Sequence, residues 1–73
     1  MTYEMGIIGA GQMAEAIVRG LLQSGLYAPQ QLIAADVAEP RRLLFSEQLK
    51  IKTVGDNPEA ARSANTLLLS VNP

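Results

Sequence analysis

The stretch Glu4-Met5-Gly6-Ile7-Ile8-Gly9-Ala10-Gly11-Gln12-Met13-Ala14 decides the fold. Glu4–Ile8 reads as a buried strand. Gly9, Gly11 and Ala14 then follow in a G-x-G-x-x-A spacing, and Gln12–Ser24 reads as a helix. Gln12, Glu15, Arg19 and Gln23 form its polar face, and Glu15 and Arg19 are an i, i+4 pair in the favourable order. Met13, Ile17, Leu21 and Ala14, Val18, Leu22 form two apolar rows. Gly25 is the expected helix stop, and Pro29 follows it.

The pattern repeats outward from that stretch. Gln31–Ala35 is a second strand ending at Asp36, and Glu39–Leu49 is a second helix with Pro40 in its first turn. Lys50–Val54 is a third strand. Asn57-Pro58-Glu59 reads as a helix start with Asn57 as N-cap, and that helix runs to about Ser63. Thr66–Val71 is a fourth strand. The order β-α-β-α-β-α-β predicts a Rossmann-like α/β domain, a parallel sheet with right-handed crossovers, spanning residues 1–73. Thr66–Val71 is almost continuously apolar. It reads as a strand made to be covered on both faces, and as the last strand it would form an apolar edge.

Composition removes several classes of function. The chain has 73 residues, enough for one small domain, with no Cys and no His. A disulfide framework, a histidine-based zinc site and a histidine acid–base relay are therefore excluded within this sequence. The absence of Cys fits an intracellular setting. Six Lys+Arg against seven Asp+Glu leave a net charge of −1. The cations are scattered, so no nucleic-acid partner is expected. No apolar run approaches the roughly 20 residues of a membrane span, so no membrane partner is expected. The apolar N-terminal stretch lacks a basic leader, and Glu4 precedes it, which argues against a signal sequence.

The glycine motif gains meaning from where it stands, between a strand and a helix. Gly9 makes the tight turn. Gly11 lets backbone approach a pyrophosphate, and Ala14 lets the helix lie close to the strand. Phosphate charge then rests on free N–H groups at the helix N-terminus. Asp36 lies 22 residues beyond Ala14, at the end of the second strand, where an acid takes ribose hydroxyls. The motif and its setting predict dinucleotide binding. No Gly-Lys-Ser/Thr is present, so a P-loop is excluded. Asp36 favours a free 2′-hydroxyl and hence NAD. Arg41 and Arg42 stand close enough in sequence to meet a 2′-phosphate instead, or are solvated helix charges.

The segment Ile7–Ile17 resembles the opening of pyrroline-5-carboxylate reductases, which begin near "IGAGNMAEAI". The family's "GLLxSG" helix end is matched by Gly20-Leu21-Leu22-Gln23-Ser24-Gly25, and its "AVKP" segment by Ser70-Val71-Asn72-Pro73. The family also carries an Asn at the place of Asn57. The resemblance covers the whole chain and implies the N-terminal coenzyme-binding part of a cytoplasmic, NAD(P)H-dependent enzyme. Such enzymes reduce 1-pyrroline-5-carboxylate to L-proline, the last step of proline biosynthesis. It implies NADP as cofactor, with NAD open because of Asp36. By similarity Ile8, Gly9, Ala10, Gly11, Gln12 and Met13 hold the pyrophosphate, and Asp36 and Asn57 sit near the adenosine. Ser70, Val71, Asn72 and Pro73 line the nicotinamide side.

The chain departs from the family in four ways. Asn72 replaces a Lys. Asp36 replaces a small polar residue. Lys50 stands where a Gly ends the second helix. Family members are also several times longer, and their helical second part forms the homo-oligomer and supplies much of the substrate site. No catalytic residue is therefore assigned, and Glu15, Glu39, Glu47 and Glu59 read as helix-surface charges. Two other functions fit the same motifs: a stand-alone NAD(P)-binding module without catalysis, and a β-hydroxyacid dehydrogenase or coenzyme F420-linked reductase.

Overall fold

A computed structural model describes residues 2–70. Four parallel strands form one sheet in the order β3-β2-β1-β4: β1 (Tyr3–Ile8), β2 (Leu32–Ala35), β3 (Lys52–Val54) and β4 (Ala64–Leu69). Ile8 pairs with Ala35 on one side and with Leu69 on the other, so the ends of β1, β2 and β4 lie level. The helices are α1 (Gln12–Gln23), α2 (Glu39–Leu43, continued by a turn of π-helix over Leu44–Gln48) and α3 (Asn57–Ser63). This is the expected Rossmann-like order.

Strand alternation builds two cores. Ile7, Leu32 and Ala34 face Ala14 and Val18 of α1 and Phe45 and Leu49 of the second helical segment. Ile8, Ile33 and Ala35 face the other way and pack with Val54, Ala60 of α3 and Ala64. β2 is buried along its whole length, which explains its continuous apolar run.

Several boundaries differ from the sequence reading, each for a local reason. Of the two apolar rows on α1, only Ala14-Val18-Leu22 faces the sheet, while Met13 is 70% and Ile17 40% exposed. The small Ala14 lets the helix lie close, so the neighbouring row is turned outward. The second helix changes to π geometry over Leu44–Gln48, and Phe45 and Leu49 are the residues it places fully in the core, with Leu44 partly buried beside them. It stops at Lys50, which takes the left-handed φ of 61° that a Gly would adopt, and Ile51 N–H closes the end on Phe45 O at 3.1 Å.

The N-cap of α3 is Asp56, not Asn57. Asp56 Oδ1 accepts from Glu59 N–H at 2.8 Å, which places Asn57 inside the first turn. β4 begins directly at Ala64 rather than Thr66. It is the sheet edge beside β1, but it is not covered on both faces: Leu68 packs on the α1 side, while Leu67 and Leu69 are exposed among the described residues. The end of the expected fourth strand, Val71, lies outside the described residues.

Candidate functional site

The chain leaves β1 through Gly9, whose φ of 94° is open to glycine and strained for other residues. Gly9 N–H donates to Ala35 O at 2.9 Å, which ties the turn to the end of β2. Ala10 tucks inward and is 1% exposed. Gly11 then caps α1, and the first helical bond runs from Glu15 N–H to Gly11 O at 2.9 Å. A Cβ added at Gly11 would meet no atom within 4 Å. A side chain there would project into the open space above the head of the helix. That room beside uncommitted backbone N–H groups fits the pyrophosphate of a dinucleotide.

Asp36 follows β2 and is half-buried beside the turn. Its Oδ2 accepts from Ala10 N–H at 2.8 Å, and its Oδ1 accepts from Ala38 N–H at 2.8 Å. A carboxylate has about four acceptor positions, so roughly two remain for ribose hydroxyls. Gly9, Ala35, Asp36, Val37 and Asn57 line one open cleft of about 180 Å³ at the carboxyl ends of the strands. The fold thus brings Gly9, Asp36 and Asn57 together from three separate segments.

The two arginines bind backbone beside that cleft without lining it. Arg41 Nε donates to Ala10 O at 2.6 Å, and its NH2 donates to Glu15 Oε1 at 2.8 Å. Arg42 NH1 donates to the carbonyls of Asp36 and Val37 at 2.8 and 2.9 Å. Backbone carbonyls fix the direction of both guanidinium groups, while Arg41 NH1 and Arg42 Nε and NH2 have no protein partner among the described residues.

Glu15 is more than a surface charge. It receives Arg41 at 2.8 Å and Arg19 at 2.9 Å. The bond from Arg41, followed by that from Arg19, holds its carboxyl below the usual glutamate range. The Arg19 half of this arrangement is visible in sequence as an i, i+4 pair. The Arg41 half spans 26 residues and leaves no sequence signal.

Of the remaining expected site residues, Ile8 contributes backbone. Its side chain is in the α3-side core, and its carbonyl accepts from Ser70 N–H at 2.8 Å. Ser70 therefore sits against the start of the glycine turn. Gln12 and Met13 are exposed in the first turn of α1. Val71, Asn72 and Pro73 lie outside the described residues. Among the described residues no group of His, Cys, Asp and Glu is placed to hold a metal ion, and no helix is long and apolar enough to cross a membrane.

The family model described as NADP oxidoreductase, coenzyme F420-dependent, matches residues 4–73. The chain belongs to this family. Among curated relatives it is similar to the pyrroline-5-carboxylate reductase of Synechocystis, with 38% identity over all of this chain and 27% of that protein. It is also similar to that of Vibrio alginolyticus, with 41% identity over 96% of this chain and 25% of that protein. The fold matches a solved pyrroline-5-carboxylate reductase from Coxiella burnetii with a TM-score of 0.84 and 28% identity, over 97% of this chain and 26% of that one. The chain spans about a quarter of the length of these relatives. The resemblance read from Ile7–Ile17 thus extends over the whole chain.

Proposed function

We propose that this chain is the coenzyme-binding part of a pyrroline-5-carboxylate reductase. The supporting observation is the cleft that joins the Gly9 turn, Asp36 and Asn57, in a chain similar to such reductases from end to end. Gly9–Met13 hold the pyrophosphate, with Ile8 and Ser70 fixing the turn from below. Asp36 accepts the ribose hydroxyls, and Asn57 stands beside the adenosine. Ser70, Val71, Asn72 and Pro73 lead toward the nicotinamide.

When bound, the coenzyme would supply the hydride that, with a proton at the ring nitrogen, converts the C=N bond of 1-pyrroline-5-carboxylate to the amine of L-proline. The described residues bind and orient; none of them is assigned to the proton transfer. Substrate contacts, a homo-oligomer and a cytoplasmic place in proline synthesis are part of this proposal for the whole protein.

Resemblance to the family points to NADPH, but the local chemistry favours NADH. Asp36 presents a negative charge where NADP carries its extra phosphate. The test, on the whole protein that contains this chain, is loss of reduced-nicotinamide absorbance with pyrroline-5-carboxylate, using NADH and NADPH in parallel. Turnover with NADH preferred is the expected result. No turnover with this substrate, but hydride exchange between NADPH and coenzyme F420, would replace the proposal with the activity that the family description names.

A further inference from the structure

We propose that Arg41 is a positioning residue for the glycine turn and, through it, for the coenzyme pyrophosphate; this rests on the coenzyme-binding reading above. The argument starts at the Ala10 peptide groups. Ala10 N–H is taken by the Asp36 carboxylate, and Ala10 O is taken by Arg41 Nε. One buried residue in the middle of the turn is therefore gripped by an anion on its donor and a cation on its acceptor.

The acceptor matters most. A helix starting one residue earlier would use Ala10 O to receive Ala14 N–H. Arg41 occupies that oxygen, and the first helical bond is instead Glu15 N–H to Gly11 O. The backbone N–H groups of Gly11, Gln12, Met13 and Ala14 have no backbone acceptor among the described residues. These are the donors at the head of α1, beside the open space at Gly11.

Arg41 is itself held on three sides. Its Nε meets Ala10 O, its NH2 meets Glu15, and its guanidinium lies 6.0 Å from the centroid of the buried Phe45 ring. Glu15 passes the restraint on to Arg19, whose NH2 reaches Gln48 Oε1 at 3.0 Å. The turn is thus braced against both front helices. A planar fork is needed to span a carbonyl and a carboxylate at once, and a lysine ammonium does not reproduce it.

The test compares the wild-type chain with Arg41→Met and Arg41→Lys. Affinities are measured for NADH, NADPH, ADP-ribose and adenosine, together with the melting temperature. Arg41→Met is expected to weaken NADH and ADP-ribose about tenfold, or about 1.4 kcal/mol. Adenosine, which has no phosphate, should change by less than about twofold, and Arg41→Lys should recover part of the loss. If Arg41→Met does not fold, Glu15→Gln serves in its place. It leaves the bond to Ala10 intact, gives Arg41 and Arg19 one neutral amide oxygen to share in place of the carboxylate, and should give a smaller split of the same sign. A loss confined to NADPH would make Arg41 a direct 2′-phosphate ligand and overturn the inference. An equal loss for all four ligands, tracking a fall in melting temperature, would make it a mere strut and also overturn it. A wild-type chain that binds none of them removes the coenzyme reading itself, and the inference with it.

Discussion

Replacing Asp36 separates what its carboxylate does for the fold from what it does for a ligand. In Asp36→Ala, Ala10 N–H and Ala38 N–H both lose their acceptor. The two losses are unequal. Ala38 is exposed, so water takes over there. Ala10 is 1% exposed, so its N–H is left unpaired in the interior. Leaving one buried donor unsatisfied costs about 1–3 kcal/mol. With about 2 kcal/mol lost, and roughly 4–8 °C of melting temperature per kcal/mol for a domain of this size, Asp36→Ala should melt about 10 °C lower.

Asp36→Asn is the informative comparison. An amide has one acceptor oxygen, and it should turn that oxygen to the buried Ala10 N–H, leaving its NH2 on the exposed Ala38 side. The remaining cost is the difference between a charged and a neutral acceptor, about 1 kcal/mol, or roughly 5 °C. The expected order of stability is wild type, then Asn, then Ala, read by thermal unfolding followed by circular dichroism. Asp36→Asn should also reduce the preference for NADH over NADPH about tenfold or more, because the repelling charge is gone while the turn is kept. Equal melting losses for both variants, or a loss below about 2 °C for Ala, would refute the reasoning that Ala10 N–H depends on this carboxylate.

Three further outcomes follow from other positions. Gly11→Ala should change stability by less than about 0.5 kcal/mol, since its φ is ordinary and its Cβ meets no neighbour; coenzyme affinity, measured by titration, should fall about tenfold as the methyl enters the phosphate space. Lys50→Gly should raise the melting temperature by roughly 4–8 °C, because the left-handed φ costs a non-glycine residue about 1–2 kcal/mol and that relief exceeds the extra flexibility of Gly in the unfolded chain. Glu15 has its folded pKa lowered, so its contribution is present above the unfolded value and is lost as pH falls through the folded one. The gap in melting temperature between wild type and Glu15→Gln should therefore be open at neutral pH and close below the usual glutamate range.

What could be read in the sequence followed from short-range rules. Strand–glycine–helix order, the Gly25 stop and the Glu15–Arg19 pair depend on residues a few positions apart, and the structure has them as expected. Lys50 stood out as a residue where a glycine belongs, and its φ of 61° gives the reason. What could not be read depends on contacts across the fold. The exposure of the Met13–Ile17 row is set by which face of α1 the sheet happens to take. The cap of α3 passed from Asn57 to Asp56 because two capping residues stand side by side, and only the geometry chooses between them. The direction of Arg41 and Arg42 rests on partners up to 31 residues away.

The two residues that break the local pattern lie at opposite ends of the parallel sheet, and that placement decides how each is to be understood. Lys50 precedes the amino end of β3, away from the cleft, and its exposed side chain has no hydrogen-bond partner among the described residues. Its strain therefore has no local compensation. Asp36 stands at the carboxyl end of β2, where its charge is met by two backbone donors and where the cleft opens. Its carboxylate meets the buried Ala10 N–H and still has about two acceptor positions open toward the cleft, so holding the turn and binding a ligand are both within its reach. The distance between the two also makes them independent, so their effects on stability should add. Lys50→Gly can then serve as a stabilised background in which Asp36, Gly11 and Arg41 variants remain folded. In that background a change in coenzyme affinity reports on the site alone.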